Sequence, residues 1–97
     1  VQGIEENGVN GVRLGNIFPN PMNETAGLYV SLDQPSQVSV EIYDLAGKLV
    51  SAQPQGRLMN GENKITIESA ALAPGAYMYR VLANGAPSVA RKFTVVR

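Results

Sequence analysis

Apolar and polar residues alternate one by one along most of this chain, and no segment keeps a helical period over three turns. Val38, Val40 and Ile42 set against Ser39, Glu41 and Tyr43 are the cleanest example. Leu28, Val30 and Leu32 repeat the pattern around Tyr29 and Ser31, as do Ile65 and Ile67 around Lys64, Thr66 and Glu68. Tyr77, Tyr79 and Val81 alternate in the same way with Met78, Arg80 and Leu82. Successive side chains on a strand point to opposite faces, so each stretch predicts a strand with one buried face. Val12 to Ile17 predicts a short first strand, and Leu49-Val50 the start of a return strand. Ser88 to Val96 predicts a closing strand with Val89, Arg91, Phe93 and Val95 on one face.

Turn chemistry separates these runs. Pro19 and Pro21 cannot donate to a ladder and end the first strand. Asp33-Gln34-Pro35-Ser36 is turn-forming. Asp44-Leu45-Ala46-Gly47 fits a type I turn with Gly47 left-handed and the Asp44 carboxylate capping backbone amides. Gln53 to Asn60, with Pro54 and Gly56, reads as a loop, and Ser69 to Leu72 as one helical turn before Pro74-Gly75. Asn84-Gly85 marks a hairpin. About seven short strands in this length predict an all-β fold, an immunoglobulin-like antiparallel β-sandwich without the Cys–Trp–Cys markers of antibody domains. Tyr77, just after the Pro-Gly corner, suits either a corner tyrosine or plain core packing.

Residues 1–11, with Gly3, Asn7, Gly8, Asn10 and Glu5-Glu6, read as a linker to something upstream, and 12–97 as the sandwich. A start at Val1 suggests a piece of a longer polypeptide, any export signal lying further upstream. Ninety-seven residues make one domain, and area scaling hides about 64% of the unfolded surface on folding, enough for a modest core.

Composition narrows the chemistry. The chain has no cysteine and no histidine, so disulfides, thiolate metal sites and the commonest general base are absent. Eight basic and eight acidic residues balance without a long run of either sign, which argues against nucleic acid and anionic lipid as partners. No apolar run approaches the ~20 residues that span a membrane, which argues against direct insertion. Glu41, Asp44 and Glu62 are the best acid–base candidates, yet a solvent-facing strand position and a turn cap account for the first two. Asp33, Asp44 and Glu62 lack the density of a calcium loop, so no metal or cofactor is expected. Tyr29 and Tyr43 on an outward face keep glycan binding as a minor option. The last strand admits two compatible readings: it packs through Phe93 and Val95, and it offers an edge to which a partner adds a strand. Such an edge can also pair two copies in a weak homodimer.

In sequence order the chain carries Phe18-Pro19-Asn20-Pro21, Ile42-Tyr43-Asp44-Leu45-Ala46-Gly47-Lys48-Leu49-Val50, Gly61-Glu62-Asn63, Leu72-Ala73-Pro74-Gly75-Ala76-Tyr77 and Lys92-Phe93-Thr94-Val95-Val96. Each phrase is weak alone. Together, in this order and spacing, they resemble the type A C-terminal sorting domain of the type IX (Por) secretion system, and Gly3-Ile4-Glu5-Glu6 resembles its lead-in. Phe18 stands where that family more often has Tyr. The resemblance implies a non-catalytic module of a secreted Gram-negative cargo that transits the periplasm and ends at the cell surface or outside. Its implied partners are the outer-membrane translocon, a shuttle protein, and a sortase-like cysteine peptidase that cuts within or before residues 1–16 and leaves the cargo attached to the surface. Carried onto this sequence, recognition is expected at Lys92, Phe93, Val95, Val96 and Arg97. Pro19, Asn20, Pro21, Asp44, Gly47, Gly75 and Tyr77 are expected to hold the fold. The competing expectation is a passive adhesive or spacer module of fibronectin-like type.

Overall fold

The computed structural model describes residues 10–21 and 23–96, which form eight strands and no helix. These are β1 (Val12–Phe18), β2 (Thr25–Leu32), β3 (Ser36–Asp44), β4 (Leu49–Leu58), β5 (Gly61–Glu68), β6 (Gly75–Ala83), β7 (Ala86–Pro87) and β8 (Arg91–Val95). One antiparallel sheet has the order β1-β2-β5, and the other β4-β3-β6 with β7 and β8 both on the far side of β6. The all-β, immunoglobulin-like sandwich expected from the alternation is what forms. The described residues hold eight strands because the two-residue β7 forms ahead of the expected closing strand, whose first three positions, 88–90, lie in no strand.

The alternation decides the core. Val38, Val40 and Ile42 of β3 and Leu28 and Val30 of β2 are buried, while Ser39, Glu41 and Tyr29 face outward. Fully burying one such aliphatic side chain contributes about 1.5–3 kcal/mol. β8 joins this core through Phe93, whose ring lies between two tyrosines of β6. It stacks on Tyr77 with centroids 5.8 Å apart and meets Tyr79 edge-on at 5.7 Å.

Two sequence expectations need correction. Gln53 to Asn60 is not a loop: β4 runs on to Leu58. β4 is an outer strand of its sheet, where Pro54 breaks no ladder by lacking an N–H. A register shift opposite Val38 and Ser39 brings Gly56 and Pro54 to their partners and leaves Gln55 as the extra residue of a bulge. Gly56 takes φ 83 there, a backbone conformation that suits glycine.

Nor do Ser88 to Val96 form one continuous strand. β7 pairs Leu82 with Pro87 while β8 pairs Tyr79 with Arg91, so one extra residue is accommodated between them. Ser88 turns inward instead of Val89: its N–H donates to the Val81 carbonyl at 2.7 Å, and its Oγ accepts the Val81 N–H at 3.0 Å. Val89 is exposed. The bulge thereby exchanges the inward parity from even to odd residues and brings Phe93 and Val95 to the core.

The remaining connections follow their turn chemistry. Leu72 N–H donates to the Ser69 carbonyl at 2.9 Å, closing a single turn without a helix. Asn84 and Gly85 make the β6–β7 hairpin with φ of 53 and 85. Asn10 and Gly11, on the linker side of the expected boundary, form a turn tied to the sandwich: Asp33 N–H donates to the Gly11 carbonyl at 3.0 Å and Asn10 Nδ2 to Pro87 O at 2.8 Å. The rest of the expected linker lies outside the described residues.

Candidate functional site

The five phrases resolve into fasteners and one strand edge. Asp44 caps its turn as expected, its Oδ1 accepting from Ala46 N–H at 3.0 Å and Lys48 N–H at 2.9 Å. Gly47, at φ 90, donates its N–H to the Asp44 carbonyl at 3.0 Å. Asn63 donates Nδ2 to Met59 O at 2.8 Å and ties the β4–β5 connection. Gly75 opens β6 at φ 151. Tyr77 combines both suggested roles: its ring is buried on Phe93, and its hydroxyl donates to the Ala73 carbonyl at 2.6 Å, the geometry of a tyrosine corner. Pro19 and Pro21 flank Asn20, whose Oδ1 accepts the Thr94 N–H at 3.2 Å.

That last contact fixes the orientation of β8. Antiparallel backbone amides alternate between the neighbouring strand and the free side. Since Thr94 N–H reaches Asn20, the amides of Phe93 and Val95 face β6, and that of Lys92 faces outward with Thr94. The expected recognition residues divide accordingly. Phe93 and Val95 are each 1% exposed, whereas Lys92 lies in the open and Val96 is 43% exposed. Arg97 lies outside the described residues.

Other edges are better protected. β4 carries two register shifts and Pro54, devices that discourage strand addition. Gln53 clamps β4 to β5: its Nε2 donates to Glu68 O at 2.7 Å, and its Oε1 accepts the Glu68 N–H at 2.9 Å. Gln55 adds a donation to Thr66 O at 3.3 Å. β1 is interrupted by a register shift between Leu14 and Ile17.

The acid–base candidates do not assemble a reactive centre. Glu41 pairs across the strands with Arg80, carboxylate to Nε at 3.1 Å, and accepts the Tyr43 hydroxyl. The Tyr43 hydrogen bond first, and then Arg80, hold the Glu41 carboxyl below the usual carboxylate range; the same bond raises the Tyr43 phenol. Arg80 also lies 5.3 Å from the Tyr43 ring centroid, so this outward cluster satisfies itself. Tyr29, the other tyrosine of the glycan option, is exposed on the opposite sheet. Among the described residues no three acidic side chains gather as a metal site.

Residue-type reasoning missed Thr94 and Gln53, because both act through backbone partners distant in sequence. The signal within reach was the Asn between two prolines: a side chain held on a short rigid loop is well placed to bond something beyond its own turn.

Geometry alone defines a small β-sandwich whose distinguishing surface is a lightly guarded sheet edge. The chain belongs to the secretion system C-terminal sorting domain family, which it matches over residues 16–96. Members of that family are non-catalytic signals for secretion through the outer membrane to the cell surface or outside. The crystal structure of dimeric latent PorU from Porphyromonas gingivalis contains a similar fold, with a TM-score of 0.73 and 28% identity over 99% of this chain. This chain spans only 10% of that one. A Pseudomonas fluorescens alkylpurine DNA glycosylase, AlkC, bound to DNA containing an abasic site analog, aligns over 90% of this chain and 31% of its own. At 18% identity and a TM-score of 0.44, it carries no argument. No curated protein matches the chain.

Proposed function

We propose that this module is an export address read at the outer edge of β8, with Lys92 and Val96 as the outward side chains and Phe93 and Val95 holding the strand in place. The type IX translocon and its shuttle protein are the readers. A sortase-like cysteine peptidase then cuts within or before residues 1–16 and leaves the cargo at the surface. The observation that carries this reading is the division of β8: one face is locked under Tyr77 and Tyr79, while its outer edge is covered at Thr94 by only an exposed Asn20 contact and Lys92 lies open. A partner adding a strand gains main-chain hydrogen bonds for affinity and side-chain contacts for specificity.

The test must close the edge without removing the core, and deleting Lys92 to Arg97 would do both at once. Thr94→Pro separates them. The Thr94 N–H serves no bond to β6, and proline is tolerated on an edge strand. Fused behind a periplasmic reporter in a strain with the type IX machinery, Thr94→Pro is expected to leave the reporter in the periplasm while the isolated module still melts cooperatively. Export by a folded Thr94→Pro module rules the edge out as the recognised surface. An adhesive or spacer module would show no such dependence.

A further inference from the structure

We propose that Asn20 is a displaceable guard of the β8 edge, its carboxamide oxygen standing where the carbonyl of a docking strand will sit. This inference rests on the reading of β8 as the recognised edge and adds how that edge is kept closed before recognition. Thr94 N–H is an outward donor of β8 and it is occupied by a side chain from the loop after β1, 74 positions away in sequence. An amide oxygen on a strand N–H reproduces the geometry of a ladder bond, so it competes with an incoming backbone for the same donor.

The guard is also weak by construction. The contact is solvent-exposed and single, unlike the Gln53 clamp, which engages both the N–H and the carbonyl of Glu68. No ladder pairing joins β1 to β8, so releasing Asn20 disrupts neither sheet. The seam between β4 and β5 is therefore sealed, whereas the seam beside β8 is latched by the Asn20 contact and by Asn10 on Pro87 at its other end. An exposed hydrogen bond of ordinary net strength corresponds to about a fivefold population ratio, enough to discourage random pairing and easily outweighed by several ladder bonds.

Asn20→Ala and Thr94→Pro make opposite predictions. Hydrogen exchange on the whole 97-residue chain should show the Thr94 amide exchanging about fivefold faster in Asn20→Ala. The amides of Phe93 and Val95, which face β6, should keep their protection. In the reporter fusion Asn20→Ala is expected to export at least as fast as the parent, while Thr94→Pro fails. Unchanged exchange at Thr94, or slower export by a folded Asn20→Ala module, overturns the guard. If Thr94→Pro still exports, the edge reading fails instead, and the exchange measurement reports on the Asn20 contact separately.

Discussion

The Tyr77 hydroxyl and the Ala73 carbonyl, 2.6 Å apart, fasten the corner where the chain enters β6. The ring contributes packing on Phe93 and the oxygen contributes direction, so Tyr77→Phe separates the two. That variant should lose about 1 kcal/mol, the ordinary net value of one hydrogen bond, read as a lower urea midpoint with an unchanged slope. Glu41 gives a second test at this scale. Its carboxyl is held low in the folded state, by Tyr43 first and Arg80 next. The folded state thus favours the ionised form, and the benefit is complete above the ordinary glutamate pKa of about 4.3. It disappears as pH falls through the lowered folded value. Glu41→Gln should therefore flatten the loss of stability on acidification, by less than about 1 kcal/mol for a pair this close to solvent.

Among the elements, β3 and β6 were legible because their inward positions are uninterrupted apolar residues: Val38, Val40 and Ile42, then Tyr77, Tyr79 and Val81. β4 was not legible beyond its first residues for a physical reason. From Ser51 to Gln55 its inward side chains are Ser51, Gln53 and Gln55, which bond to neighbouring polar groups and to the backbone of β5, and only Leu58 at its far end packs against the core. Hydrophobic periodicity is silent about a strand that is fastened by carboxamides. Gln53→Ala removes three bonds, one to Ser51 Oγ and two to the Glu68 backbone; it should cost about 1–3 kcal/mol and expose the Glu68 amide to exchange. Gln53→Glu should not restore the full stability, since a carboxylate cannot donate to Glu68 O. At β8 the residue types announced an edge strand, but which amides face outward depends on the register with β6 and on Asn20, neither of which is local.

For the molecule as a whole, four of the family phrases have identifiable fastening roles. Asp44 and Gly47 close a hairpin, Asn63 the next connection, Tyr77 the corner, and Asn20 the last edge. The fifth phrase, Lys92-Phe93-Thr94-Val95-Val96, is both core and surface, as the proposal that one short segment serves as folding element and address requires. Under that proposal reading and stability are separable, because the relevant groups lie on different sides of the strand. Phe93 and Val95 are buried in the sandwich, while the Thr94 N–H and the Lys92 side chain lie on its outer side. The Thr94→Pro fusion tests that separation across the whole module.

The extra residue between Pro87 and Arg91 acts like a frame marker for everything downstream of it. Lose or gain one position there and the alphabet of the final segment is inverted: lysine is pressed toward the tyrosines and phenylalanine is handed to water. Any lineage that keeps this signal working must therefore conserve a count as well as a spelling, and length changes at Ser88 to Ala90 invert the final segment in a way that substitutions at the same positions do not.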